Sequence, residues 1–178
     1  MRIWEIVIVP GDELATVVTS EGSRDVPIRV ERAFDDFAAE LGARTPAEVR
    51  VVDGTALPER DGGTIFVCRQ PVLDLTPPDL LPRVVVVDVL RTWALELAES
   101  RRLAAVVESH QYFSWHRQRG AGVPAALYGR KDVGRRMGAR WPDNPLFTGE
   151  RYALLSDERH PGLPALLAAY LDAYATLV

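Results

Sequence analysis

Residues 84–107 read VVVVDVLRTWALELAESRRLAAVV, and this stretch decides the fold. Four consecutive valines precede a segment in which Leu90, Trp93 and Leu97 recur at helical spacing, and a second apolar run closes the stretch. Short apolar runs without alternation are typical of strands that are buried on both faces. The pattern predicts a β–α–β unit, with a helix over 90–102 and two parallel strands joined by a right-handed crossover.

The flanking segments extend this unit into an α/β sheet. Thr64–Cys68 is another apolar run of strand length. Residues 3–9 and 14–19 are rich in β-branched side chains and are separated by Pro10-Gly11-Asp12-Glu13, so we expect them to form an antiparallel hairpin. Further helices are predicted from capping signals and apolar spacing over 27–41, 131–137 and 163–176.

Size and composition set the class of protein. The chain has 178 residues, 47% of them hydrophobic, and a mean hydropathy of −0.04, which fits one well-packed domain over 1–178. We expect a mixed sheet of five or six strands, with an irregular arginine-rich segment over about 110–150. No apolar run is long enough to cross a membrane.

Two further features indicate a cytoplasmic protein. The amino-terminal residues lack the apolar region and cleavage site of a signal peptide. Cys68 is the single cysteine, so the chain forms no internal disulfide and offers no cysteine cluster for structural zinc. These observations favour a reducing compartment.

Positive charge is concentrated in one part of the sequence. From Arg101 to Arg140 there are nine basic and two acidic residues, whereas the whole chain has a net charge of −4. Such segregation creates a surface that attracts anions. The candidate anion-binding residues are Arg117, Arg119, Arg130, Lys131, Arg135, Arg136 and Arg140.

This basic segment admits three interpretations. Interleaved aromatic residues, Trp115, Tyr128 and Trp141, favour single-stranded nucleic acid, which combines backbone attraction with base stacking. An acidic protein face is a second kind of partner. Alternatively, the arginines pair with the acidic first hundred residues or are solvated, and the sequence pI of about 5.4 counts against a dedicated nucleic-acid protein.

A second candidate site lies where the buried strands end. Cys68, Asp88 and His110 each follow an apolar run, and ligands of parallel α/β sheets bind outside the carboxyl ends of the strands. A thiol, an imidazole and a carboxylate are the components of an activated cysteine nucleophile, with His110 as base and Asp88 orienting it. The alternatives are that these residues mark the exit to solvent and that Cys68 is a buried apolar residue.

Metal and cofactor sites are not predicted. His110 and His116 are six residues apart, and no third ligand lies near them. The chain has no Gly-x4-Gly-Lys-Ser/Thr loop, and its clustered glycines do not follow a predicted strand.

The sequence therefore leaves three functions open. The first is a binding protein whose surface at about 117–140 engages nucleic acid or an acidic protein. The second is a hydrolase or transferase that acts on a small molecule at the strand ends. The third is a subunit of a larger assembly, with Tyr112, Trp115 or Phe147 at an interface. The sequence does not specify an oligomeric state.

Overall fold

Ten strands and five α-helices occupy the part of the chain that the computed structural model describes, which is residues 1–11, 13–28, 31–108, 126–138, 146–147, 152–156 and 162–178. The strands are β1 Glu5–Val9, β2 Glu13–Thr19, β3 Gly22–Ile28, β4 Glu48–Val51, β5 Thr64–Arg69, β6 Val84–Val89, β7 Ala105–Glu108, β8 Ala126–Arg130, β9 Leu146–Phe147 and β10 Tyr152–Ser156. The helices are α1 Glu31–Gly42, α2 Gln70–Leu73, α3 Arg91–Arg101, α4 Lys131–Gly138 and α5 Leu163–Ala175, with a 3₁₀ helix over Pro78–Arg83.

Eight of these strands form one mixed sheet in the order β4-β1-β5-β6-β7-β8-β10-β9. The first five are parallel, whereas β8 is antiparallel to β7 and to β10, and β9 is antiparallel to β10. Numbered along the chain, the parallel strands have the order 2-1-3-4-5, which is that of doubly wound α/β sheets of the flavodoxin type. The predicted α/β class is confirmed, with more strands than expected.

The β–α–β unit predicted from residues 84–107 is present. Val85 and Val86 of β6 pair with Ala105 and Val106 of β7 in parallel register, and α3 connects the two strands. One detail of the predicted helix face differs, because Trp93 is 52% exposed. The helix packs on the sheet through its small residues Ala94 and Ala98, which lets it approach the strands closely.

The chain has a hairpin near its amino terminus, but this hairpin consists of β2 and β3 and not of residues 3–9 and 14–19. β2 pairs with β3, whereas β1, expected to pair with residues 14–19, lies between β4 and β5 in the parallel sheet. The reason is burial: all five residues of β1 are buried, and a strand that is apolar on both faces belongs inside a sheet. Residues 27 and 28, expected in the first helix, complete β3 instead.

Helices cover both faces of the sheet. One core cluster packs α1, α4 and α5 against one face, through residues such as Phe34, Met137 and Leu167. The other cluster packs α2, α3 and the 3₁₀ helix against the opposite face, and it includes Leu73 and Cys68. The helices predicted over 27–41, 131–137 and 163–176 thus correspond to α1, α4 and α5. In the described ranges no helix has both the length and the apolar character needed to cross a bilayer.

Candidate ligand site at the carboxyl edge of the sheet

The parallel strands bring four polar positions to one edge of the sheet. β1 leads into Gly11, β5 ends at Arg69, β6 carries Asp88 one residue before its end, and β7 ends at Glu108. The chain leaves β1 toward β4 on one side and leaves β5 toward β6 on the other. Because the connections diverge there, the carboxyl ends of β1 and β5 flank the crevice in which doubly wound proteins bind ligands.

Arg69 and Asp88 form an ion pair at this edge. The guanidinium Nη2 lies 3.7 Å from Asp88 Oδ2, and the two side chains are only 14% and 5% exposed. The distance is that of an ion pair and is too long for a hydrogen bond. An ion pair with so little contact with water interacts more strongly than one on the surface.

The backbone at Asp88 is unusual. Its φ is +66°, in the left-handed region, and the register of β6 with β7 shifts between Val86 and Val89. A non-glycine residue in this conformation is strained, although aspartate tolerates it better than most residues. Bulges and strained residues are concentrated beside functional sites, where they redirect a side chain. Asp88 lies within this bulge, and its carboxylate is the group that pairs with Arg69.

Gly11 follows β1 at the same edge. Its φ is +68°, and a Cβ at this position would lie 2.9 Å from Cγ2 of Val72 in α2. The loop after β1 therefore passes tightly against the helix that follows β5, and only glycine fits both the dihedral angle and the space. We had expected Gly11 to be part of a hairpin turn, so this role was missed in the sequence.

Cys68 does not reach the edge. It is completely buried, and its side chain belongs to the core beneath α2 and α3. Burial raises the pKa of the thiol, which disfavours the thiolate that a nucleophile requires. These findings count against the role predicted for Cys68. The residue that does reach the edge is its neighbour Arg69, the first polar side chain after the apolar run.

The third member of the predicted catalytic set, His110, lies outside the described residues, as do Arg117 and Arg119. The residues that flank this segment are described: Glu108 and Ala126 are register partners of β7 and β8 at the carboxyl edge. The hydroxyl of Tyr128 donates to Glu108 Oε2 at 2.9 Å. Glu108 and Ala126 therefore lie at the same edge as Arg69 and Asp88.

Arg130 is held by an acidic neighbour. Its guanidinium donates to both carboxylate oxygens of Asp132, at 3.1 and 2.6 Å, and lies 5.8 Å from the centre of the Tyr174 ring. The hydrogen bond to Asp132 raises the pKa of Arg130. Arg130 lies at the opposite, amino edge, because β8 is antiparallel to β7. Arg130 is thus paired with an acid of the basic segment itself, and not with one from the first hundred residues.

The remaining candidate anion-binding residues that the structure describes lie on α4. Val133 and Met137 anchor this helix in the core, whereas Arg135 and Arg136 are exposed and Lys131 is half-buried. Arg140 lies outside the described residues. The helix therefore presents a basic face to solvent.

Comparisons with known proteins add no assignment. No protein-family model matches the chain, and no curated protein matches it at a significant level. Among the residues with described positions, no group of three or more His, Cys, Asp or Glu side chains is arranged to hold a metal ion.

Proposed function

We propose that the chain binds a small anionic molecule, bearing a carboxylate or phosphate, in the crevice at the carboxyl edge between β1 and β5. The observation that carries the proposal is the ion pair of Arg69 with Asp88, which joins the ends of β5 and β6 next to the point where the strand order reverses. Crevices of this kind are the usual ligand sites of doubly wound sheets.

The chemistry of Arg69 fits such a ligand. A guanidinium has five N–H donors in a planar fork, and this fork matches the geometry of a carboxylate or phosphate. Asp88 fixes the direction of the guanidinium, and this reduces the entropy lost on binding. In the sequence, the residues between Glu108 and Ala126 include Arg117 and Arg119 and no Asp or Glu.

The proposal is for binding, and it does not include a covalent step. The hydrolase or transferase predicted around Cys68, Asp88 and His110 requires a thiolate, and the burial of Cys68 opposes its formation. That alternative, like the role as an assembly subunit, stays a prediction.

Thermal unfolding in the presence of anions tests this proposal. The ligands are inorganic phosphate, citrate and ATP, with glucose as the neutral comparison. A ligand present at about one hundred times its Kd stabilises the folded protein by about 2.7 kcal/mol. We expect at least one anion, but not glucose, to raise the Tm of the wild type. Arg69→Gln should lose that increase when each protein is measured against its own ligand-free Tm.

A matched control separates the site from general charge. Arg101 forms an exposed ion pair with Asp74, 3.5 Å away, and it is not part of the Arg69–Asp88 pair, so Arg101→Gln should respond to anions like the wild type. The proposal is wrong if no anion shifts the Tm, or if Arg69→Gln and Arg101→Gln respond equally.

A second candidate function is favoured by the exposed basic face of α4. We propose for it an anionic macromolecule, either nucleic acid or an acidic protein, that contacts Arg135 and Arg136. The support is their exposure on a helix that Val133 and Met137 fix to the core. Arg130 is not included, because it is engaged by Asp132.

Salt-dependent binding to single-stranded RNA, single-stranded DNA and duplex DNA tests this second function. Each phosphate contact contributes about 0.7 to 0.9 to the slope of log K against log salt. Arg135→Ala with Arg136→Ala should therefore reduce the slope by roughly 1.4 to 1.8. An unchanged slope would exclude α4 from contact with nucleic acid, and binding of a polyglutamate peptide instead would identify an acidic protein partner.

A further inference from the structure

A cavity of about 730 Å³ lies at the amino edge of the sheet, on the side away from Arg69 and Asp88. It is open to solvent on one side and is bordered by the residues before β1, by the loop between α1 and β4, and by α5. The lining residues that matter here are Arg2, Ile3, Arg44, Ala169, Leu171 and Asp172. Its volume falls within the range of about 300 to 1,000 Å³ that is typical of small-molecule sites.

The cavity exists because α5 presents alanines to it. Ala165, Ala168 and Ala169 line it from the helix, beside the larger side chain of Leu171. The helix cannot easily move inward, because other side chains fix it. Tyr170 donates a hydrogen bond to the backbone oxygen of Ala104, and Tyr174 donates to that of Pro82.

The lining combines apolar and charged surfaces. Ile3 and Leu171 contribute apolar side chains, whereas the exposed residues Arg2 and Arg44 contribute positive charge. Asp172 contributes one negative charge, so these three charged side chains have a net charge of +1. A ligand that fits this distribution has an apolar body and a single acidic group.

We propose that this cavity binds an amphipathic monocarboxylic acid, whose hydrocarbon part packs on Ile3, Leu171 and the alanines of α5. Its carboxylate is held at the rim by Arg2 and Arg44, through charge-assisted hydrogen bonds. The negative charge of Asp172 repels the carboxylate of the ligand and lowers its affinity for the cavity. The site is independent of the function proposed for the carboxyl edge, since the two share no residue.

Calorimetric titration with octanoate tests the site, with octylamine and 1-octanol as probes of the same chain length. We expect octanoate to bind more tightly than either. Arg2→Gln with Arg44→Gln should weaken octanoate binding by about tenfold or more, because charged hydrogen bonds are lost. Asp172→Asn should strengthen it by about twofold, the scale of an exposed charge interaction. The control Arg101→Gln should bind octanoate like the wild type.

A cavity-filling variant tests the location. Ala169→Leu places a larger side chain in the empty volume, so octanoate binding should be lost while the Tm stays at or above that of the wild type. If this variant lowers the Tm, Ala165→Leu repeats the test one helical turn earlier. The proposal is overturned if 1-octanol or octylamine binds as well as octanoate, or if a folded cavity-filled variant still binds it.

Discussion

The ring of Tyr170 in α5 lies directly against Gly129 in β8. A Cβ at position 129 would be 2.2 Å from Cε2 of Tyr170, a distance that no two carbon atoms without a bond adopt. The Tyr170 hydroxyl donates to the backbone oxygen of Ala104 and accepts the backbone N–H of Arg130 at 3.1 Å. One buried tyrosine thus joins α5 to two strands, and the absence of a side chain at Gly129 makes its position available.

Gly129→Ala should destabilise the fold strongly. The added methyl group forces the buried Tyr170 ring to move, and overpacking of this kind costs about 3 kcal/mol. Denaturation by urea measures the loss as a lower midpoint. Gly62→Ala is the matched control, because nothing lies within 4 Å of its added Cβ, and it should change the free energy of unfolding little. Equal midpoints for the two variants would contradict the packing described.

Stability should fall at alkaline pH because of Tyr170. Burial raises the pKa of this hydroxyl above that of an unfolded tyrosine, which is about 10. The folded state therefore holds a proton that the unfolded state releases, and its stabilisation is complete below about pH 10 and is lost as the pH rises further. Burial also raises the pKa of Tyr174, so it acts in the same direction.

Tyr170→Phe isolates this contribution. At neutral pH it should cost about 1 to 3 kcal/mol, because the Ala104 oxygen and the Arg130 N–H lose their partner. Between pH 9 and about 11 its free energy of unfolding should decline less steeply than that of the wild type. Urea denaturation at neutral pH and across this range measures the free energy of unfolding of both proteins. If that free energy declines equally with pH in the wild type and in Tyr170→Phe, the Tyr170 hydroxyl does not lose its proton on unfolding.

The thiol of Cys68 should be inert in the folded protein. It is completely buried and burial raises its pKa, so a thiol reagent such as Ellman's reagent should react only as fast as the protein unfolds. Cys68→Ser should cost about 1 to 3 kcal/mol, because a hydroxyl replaces an apolar sulfur in the core. Rapid labelling under native conditions would instead support Cys68 as a nucleophile.

Local patterns in the sequence predicted the elements well. The helical spacing of Leu166, Leu167 and Tyr170 corresponds to the buried face of α5, and the valine run with its following helix corresponds to β6 and α3. These elements are governed by periodicity within about ten to fifteen residues, which a single sequence displays. The α/β class follows from their alternation.

Strand order and side-chain position were harder to predict. The partner of β1 depends on contacts with residues 48–51 and 64–68, which are distant in sequence, so the adjacent hairpin was the simpler expectation. Whether Cys68 or Arg69 reaches the edge depends on the exact residue at which β5 ends, and the sequence pattern does not define that residue. The amino-edge cavity depends on how α5 sits against the start of β1, and no local pattern encodes that distance.

The left-handed backbone at Asp88 gives the last prediction, which separates strain from charge at the proposed ligand site. Asp88→Ala removes the carboxylate 3.7 Å from Arg69 and places alanine at a φ of +66°. Asp88→Gly removes the same carboxylate, but glycine adopts this φ without strain. Asp88→Gly should therefore be more stable than Asp88→Ala by about 1 kcal/mol.

Asp88→Asn completes the comparison, because asparagine tolerates the left-handed region and lacks only the charge. Its loss of stability should reflect the ion pair alone, and it should exceed that of Asp74→Asn, whose ion pair with Arg101 is exposed. Urea denaturation at pH 7 provides all four values. If Asp88→Ala and Asp88→Gly are equally stable, the backbone at 88 is not left-handed in solution, and the bulge does not set the direction of the carboxylate beside Arg69.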